Sequence, residues 1–204
     1  HMYVSQISIR NFRGIRELDV ELGRFTVVIG ENNVGKTALL EAIRICLDKV
    51  PARRGYVFAE KDFVVGITEP IVLRCTLVVP KDDPNLAIIA KKLGRALGVK
   101  SGSDEKEITI EVTGTWNDIT GNAKHDVAFL DPSQKPLPKQ VIRDGLNGLA
   151  ALASCKTLHA NRTASHDFRP TAQFLAPILD AASIDEGTSD TIREELDELS
   201  EQLV

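Results

Sequence analysis

The 204-residue sequence predicts an α/β fold, a mixed β-sheet with hairpins set around one glycine-loop helix. Three observations predict it. The apolar run Phe25-Thr26-Val27-Val28-Ile29 enters Gly30-Glu31-Asn32-Asn33-Val34-Gly35-Lys36-Thr37, and that loop enters the helical pattern Ala38 to Leu47. Segments around Leu18–Leu22, Ile71–Val79 and Ile108–Val112 alternate apolar and polar residues with the period of a half-buried strand. Leu86, Ile89, Leu93 and Leu97, and later Val141, Ile142, Leu146, Leu149 and Leu152, recur at helical spacing.

The glycine loop reads G-x-x-x-x-G-K-T in the strand–loop–helix context that gives this pattern its meaning, that of a P-loop NTPase. Glycines let the backbone curl so that successive amides face phosphate oxygens. The following helix adds unpaired N-terminal amides and its positive dipole end. Lys36 brings a point charge to the β- and γ-phosphates, and the Thr37 hydroxyl is the expected Mg²⁺ ligand. The expected cofactors are therefore ATP and Mg²⁺, held by Gly30, Asn32, Asn33, Val34, Gly35, Lys36, Thr37 and Ala38.

Along the chain, Tyr3 to Ile9 predicts a strand, Arg10-Asn11-Phe12-Arg13-Gly14 a polar turn, and Leu18 to Leu22 an amphipathic strand. Phe25 to Ile29 predicts a buried strand. The loop helix is expected to end near Val50, since Pro51 disfavours helical geometry before it. Residues 51–70 predict irregular chain with solvated charges at Arg53, Arg54 and Lys61. Ile71 to Val79 predicts a strand closed by Pro80. Leu86 to Leu97 predicts a helix leaving at Gly98, with Lys91, Lys92 and Arg95 on its wet face. A strand is expected from Ile108 to Trp116, a turn at 117–122, a returning strand at Val127–Leu130 and a turn at Asp131–Gln134. Pro138 to Ala153 predicts a helix that Gly145 and Gly148 weaken, and Thr157–His159 a short strand. From Thr191, residues Ile192, Leu196, Leu199 and Leu203 keep a heptad rhythm. The chain thus reads as stopping partway into a longer helical arm, and His1 as a cloning remnant before a start at Met2.

Hydrophobic residues make up 43% of the chain and charged residues 26%, an ordinary soluble balance. A net charge of −4 supplies no overall basic field for nucleic acid, so any DNA contact needs a local patch or another part of an assembly. Cys46, Cys75 and Cys155 are odd in number and lie in apolar runs, which fits buried thiols of a reducing, cytoplasmic setting. No apolar run approaches membrane-spanning length.

Hydrolysis needs a second carboxylate at the end of an apolar strand. Asp131, after Val127-Ala128-Phe129-Leu130, is the candidate, but Pro132 follows where an acidic residue is expected, and an Asp opening a turn commonly serves the turn itself. His159 and His166 flank Arg162 without a third ligand in register. No G-x-S-x-G supports a nucleophilic hydrolase.

Ile7-Ser8-Ile9-Arg10-Asn11-Phe12-Arg13-Gly14-Ile15, followed by the loop and Ala38-Leu39-Leu40-Glu41-Ala42-Ile43, resembles the opening of RecF/SMC-type ABC ATPase heads. Within that group the chain is most similar to the overcoming-lysogenization-defect (OLD) family of ATP-dependent endonucleases. Phe129 to Pro138 resembles a hairpin of that family, and Leu158 to Pro170 its strand-and-arginine segment. The resemblance implies the first lobe of an ABC-type head over residues 1–185, with the mixed sheet and hairpins around the P-loop helix, and the start of a helical dimerisation arm over 186–204. It implies Arg13 near the nucleotide, and offers Gln134 as a Mg²⁺-sensing glutamine. It also implies partners: a second ATPase lobe and a Toprim nuclease in the C-terminal remainder of the same protein, a homodimer sandwiching ATP, and DNA bound by the full assembly rather than by this chain, with no membrane. ATP would then control a nuclease located elsewhere, and this chain alone would bind ATP without efficient hydrolysis or DNA cleavage.

Two other readings stay open: a RecF/SMC-like DNA-repair ATPase without a nuclease, and a nucleotide-binding interaction module without catalysis. A P-loop kinase fits less well, because alternating helices and parallel strands normally follow its loop, whereas amphipathic strands and hairpins follow this one.

Overall fold

The computed structural model describes residues 1–30, 35–51, 58–64, 66, 68–100 and 102–153. These fall within the compact unit His1–Cys155. The expected Thr157–His159 strand, Cys155, both histidines after it, the 158–170 segment, Arg53, Arg54 and the heptad helix lie outside the described residues.

Six strands form one sheet: β1 (Tyr3–Phe12), β2 (Ile15–Glu21), β3 (Ile71–Val79), β4 (Gly98–Val99), β5 (Lys106–Asn117) and β6 (Asn122–Leu130). Their order is β2-β1-β3-β5-β4, with β6 also paired to β5. Every pairing among the described residues is antiparallel. The register explains why the alternation was so regular. Val20, Ile7, Cys75, Ile110 and Phe129 stand in one row across five strands, and Leu18, Ile9, Leu73, Val112 and Val127 in another. Between them runs the polar row Asp19, Ser8, Arg74 and Glu111. A one-residue slip would turn every one of these side chains to the wrong face. On the polar face Arg74 donates to Glu111 at 2.5 Å, and the Thr76 and Thr109 hydroxyls meet at 3.0 Å.

The apolar face is covered by three helices: α1 (Lys36–Arg44), α2 (Leu86–Leu93) and α3 (Lys139–Leu152). Ala38, Leu39 and Ala42 of α1, Ile89 and Leu93 of α2, and Leu146 and Leu149 of α3 join the same core as Ile7, Ile9, Leu73, Ile110 and Phe129. α1 continues into one π-helical turn, Ile45–Lys49, closed by the Val50 amide on the Ile45 carbonyl at 3.0 Å, as the position of Pro51 predicted. Cys46 and Cys75 are buried in this core, and burial, with Cys75 nearby, pushes the Cys46 thiol well above its ordinary value. Both are inert packing residues in the native fold.

Two expectations need correction. Residues 25–29 form no strand and are not buried: Phe25 is 87% exposed and Ile29 90%. A strand buried on both faces needs neighbours for its amides and carbonyls and cover above and below. Among the described residues none pairs with this segment. An apolar run reports what a segment would bury, not whether a partner stands beside it. The second correction is shorter. The helix expected over Leu86–Leu97 ends at Leu93, tightens into a 3-10 turn over Gly94–Ala96, and Gly98–Val99 then joins the sheet edge on Glu107 and Lys106.

Candidate nucleotide-binding site

The candidate site lies where Gly30 meets the start of α1. Gly35 is the N-cap of α1, at φ 98° and ψ 0°. That left-handed geometry is strained for any residue with a Cβ. A Cβ there would also stand 3.3 Å from Cδ1 of Ile15 in the β1–β2 hairpin. Among the described residues no side chain caps the helix, and its first turn carries no acidic residue. A helix start carries unpaired amides and a positive dipole end, the kind of group that suits an anion. Lys36 opens the helix, and its Nζ donates to the Gly30 carbonyl at 2.5 Å, across the loop. Thr37, the next residue, is exposed, and Ala38 and Leu39 turn into the core. Asn32, Asn33 and Val34 lie outside the described residues. The groups present fit a phosphate chain and a bound Mg²⁺ in kind: a cation, an exposed hydroxyl, a helix start without an acid, and a glycine where a side chain would intrude.

Arg13 is placed differently. It is the first residue of a two-residue hairpin turn with Gly14, at φ 48° and 84° respectively, the pattern of a type I′ turn. Its Nε donates to Asp62 Oδ1 at 2.5 Å, its amide donates to the Asp62 carbonyl at 3.0 Å, and its guanidinium lies 5.2 Å from the Phe12 ring centre. Its other arm stands 3.9 Å from Glu41, on α1 one turn and more beyond Lys36. The structure thus gathers Gly30, Gly35, Lys36 and Thr37 together and sets Arg13 on the flank of the same helix.

Two residues of this neighbourhood carried no sequence signal. Asp62 sits in a segment read as irregular, and Glu41 looked like one more polar position of a helix. Glu41 accepts from Lys49 at 2.5 Å and pairs with Arg44 at 3.0 Å. Burial alone would raise its carboxyl, but the Lys49 hydrogen bond and the charges of Lys49, Arg44 and Arg13 outweigh this and hold it below the ordinary range. The sign follows from linkage. A carboxyl depressed in the folded state stabilises above its unfolded value, about 4.3, and that contribution fades as pH falls through the folded value. Wild type should exceed Glu41→Gln by about 1 kcal/mol at pH 7 in urea unfolding, and the gap should close under acid. A gap that persists unchanged at pH 3 would show that the carboxylate charge is not its source.

Asp131 is used by its own turn. Its Oδ1 accepts from the Ser133 amide at 2.8 Å and the Lys135 amide at 2.9 Å. Gln134 follows in that turn, exposed, at φ 62°. Lys91, Lys92 and Arg95 are all exposed, on α2 and the turn after it.

A family model for the AAA ATPase domain matches residues 2–166. Over 55 residues the chain is 38% identical to the endonuclease GajA of Bacillus cereus, covering 27% of this chain and 10% of that protein. Over 54 residues it is 35% identical to an OLD nuclease of Thermus scotoductus, covering 26% of this chain and 10% of that one. Over 43 residues it is 49% identical to the DNA replication and repair protein RecF of Actinobacillus pleuropneumoniae, covering 21% of this chain and 12% of that protein. The matched stretches are thus about a tenth of each relative's length. No described helix is long and apolar enough to cross a membrane.

Proposed function

Because this chain belongs to the AAA ATPase domain family, we propose that it is the ATP- and Mg²⁺-binding N-terminal part of an OLD-family ATP-dependent DNA endonuclease. The observation that carries the reading is the uncapped start of α1, entered through left-handed Gly35 and crossed by Lys36. The stretches shared with GajA and the OLD nuclease favour an endonuclease setting.

In this reading Gly30, Asn32, Asn33, Val34, Gly35 and Ala38 would bind the phosphates. Lys36 exchanges the Gly30 carbonyl for phosphate oxygens and Thr37 offers its hydroxyl to the metal. Mg²⁺ held there by Thr37 would supply charge neutralisation at the phosphates. The chain's own residues bind and orient. Asp131 Oδ1 accepts from two amides of its own turn, which supports a structural use of this carboxylate. A second ATPase lobe, a Toprim nuclease, a homodimeric arrangement and DNA bound by the whole assembly complete the proposal. The 49% identity to RecF favours, as a second reading, a DNA-repair ATPase without a nuclease.

The full-length protein separates the two. Incubated with supercoiled DNA, Mg²⁺ and ATP, it should nick or cut, and ATP should change the rate. ATP turnover with intact DNA would move the assignment to the RecF-like reading. The 204-residue chain by itself should turn over ATP no faster than its Lys36→Ala variant. A clear excess would mean that Asp131 or another group completes a hydrolytic site within it.

A further inference from the structure

Asp62 is the group in this neighbourhood whose engagement exceeds what its own turn needs. Its side chain is buried, and its Oδ2 accepts from the Ala59 amide at 2.8 Å, which closes the Glu60–Asp62 turn. That use is local. Its two other acceptors, Oδ1 and the main-chain carbonyl, both go to Arg13, at 2.5 and 3.0 Å. Arg13 is thereby clamped by backbone and side chain together, at the tip of a two-residue turn. From the same tip, Ile15 reaches the last glycine of the phosphate loop: its Cδ1 stands 3.3 Å from where a Gly35 Cβ would be. The second arm of Arg13 stands 3.9 Å from Glu41 on α1, and Glu41 also holds Lys49 and Arg44. One buried carboxylate therefore fixes a turn that bears on both the loop's end and the flank of its helix.

We propose that Asp62 is a positioning residue for the phosphate loop, acting through Arg13 at the β1–β2 turn; the inference rests on the nucleotide-binding reading above. In this role Asp62 acts through Arg13 rather than on the nucleotide itself. It holds the turn so that Ile15 backs Gly35 in its left-handed geometry and the first amides of α1 point at one place. Buried charge-assisted contacts of this kind hold geometry because an alternative partner is scarce once water is excluded. Displacements near 1 Å at a site that orients phosphates are costly, up to about 100-fold in function.

The test uses the full chain with Asp62→Asn, Arg13→Gln and the double variant, well below the unfolding temperature of each. The first readout needs no nucleotide: exchange of the Leu39 amide, which donates to the Gly35 carbonyl at 2.9 Å and so reports the first turn of α1. The second is Mg-ATP affinity by calorimetry. Asp62→Asn should speed Leu39 exchange and weaken ATP binding roughly tenfold. Arg13→Gln should do the same, and the double variant should add little. Wild-type exchange and affinity in Asp62→Asn, even with a lowered Tm, would reduce Asp62 to a structural anchor and overturn the proposal. Effects that multiply in the double variant would also overturn it, because the two residues would then act separately. If Asp62→Asn does not fold, Arg13→Gln and Arg13→Lys decide by the same two readouts. If wild type binds ATP no better than Lys36→Ala, the nucleotide reading fails, while Leu39 exchange still decides the positioning role.

Discussion

Lys36→Ala should abolish ATP binding by this chain and leave its fold in place. Lys36 is the sole lysine between Gly30 and Thr37, and its Nζ already spans the loop to the Gly30 carbonyl. Charge-assisted contacts to phosphate are about twice as strong as neutral ones, and one hydrogen bond to a charged group contributes roughly 1.5–3 kcal/mol. Loss of the ammonium also leaves the β- and γ-phosphates without a countercharge from the loop. A fall in affinity of about 100-fold or more follows, since each 1.4 kcal/mol is tenfold. The fold should tolerate the change. Lys36 is the first residue of α1, its side chain is only partly buried, and Ala is a good helix former. Stability should stay within about 0.5 kcal/mol. AMP supplies the control, because it lacks the phosphates that Lys36 would hold and its weak binding should hardly change. Calorimetry of wild type and variant with ATP, ADP and AMP settles the matter. Equal ATP affinities would sink the assignment of the loop.

How much of this was legible in the sequence depends on what each residue had to report. β3, β5 and α3 were readable because each carries its own period: Ile71, Leu73, Cys75 and Leu77 need only a two-residue alternation to reveal a face. The edges were less so. Gly98–Val99 is too short to show a period, and only the register against Glu107 and Lys106 makes it a strand. Phe25–Ile29 misled for the opposite reason, since its signal is strong and no described strand pairs with it. At the candidate site, Gly35, Lys36 and Thr37 can be named from sequence because the motif sets their spacing locally. Asp62 was not, because its meaning lies 49 residues away at Arg13, and nothing near either residue in sequence announces the pairing. The resemblance to ATPase heads implies Arg13 near nucleotide but does not foretell Asp62, which holds it, or Glu41 beside it.

The glycines of α3 show the same limit, and they carry the second large effect. Glycine in a helix interior weakens it by about 1 kcal/mol relative to alanine, so propensity alone makes Gly148→Ala stabilising. The packing says otherwise. A Cβ on Gly148 would lie 2.5 Å from the Lys92 carbonyl oxygen, 2.8 Å from its carbon and 2.9 Å from Leu93 Cδ2. The first two are main-chain atoms at the end of α2, so no rotamer change relieves them. α3 would have to lift away from α2, opening the contact that buries Leu93 and Leu149 completely and Ile89 almost so. Overpacking of this kind costs roughly 1–3 kcal/mol, and loosened apolar contacts add to it. The clash wins over propensity, and Gly148→Ala should lose about 2 kcal/mol or more in urea unfolding. Ala150 is the internal control: it is exposed on the same helix, so Ala150→Gly should lose only about 1 kcal/mol, from propensity alone. A Gly148→Ala protein as stable as wild type, or more so, would show that α2 and α3 do not meet backbone to backbone.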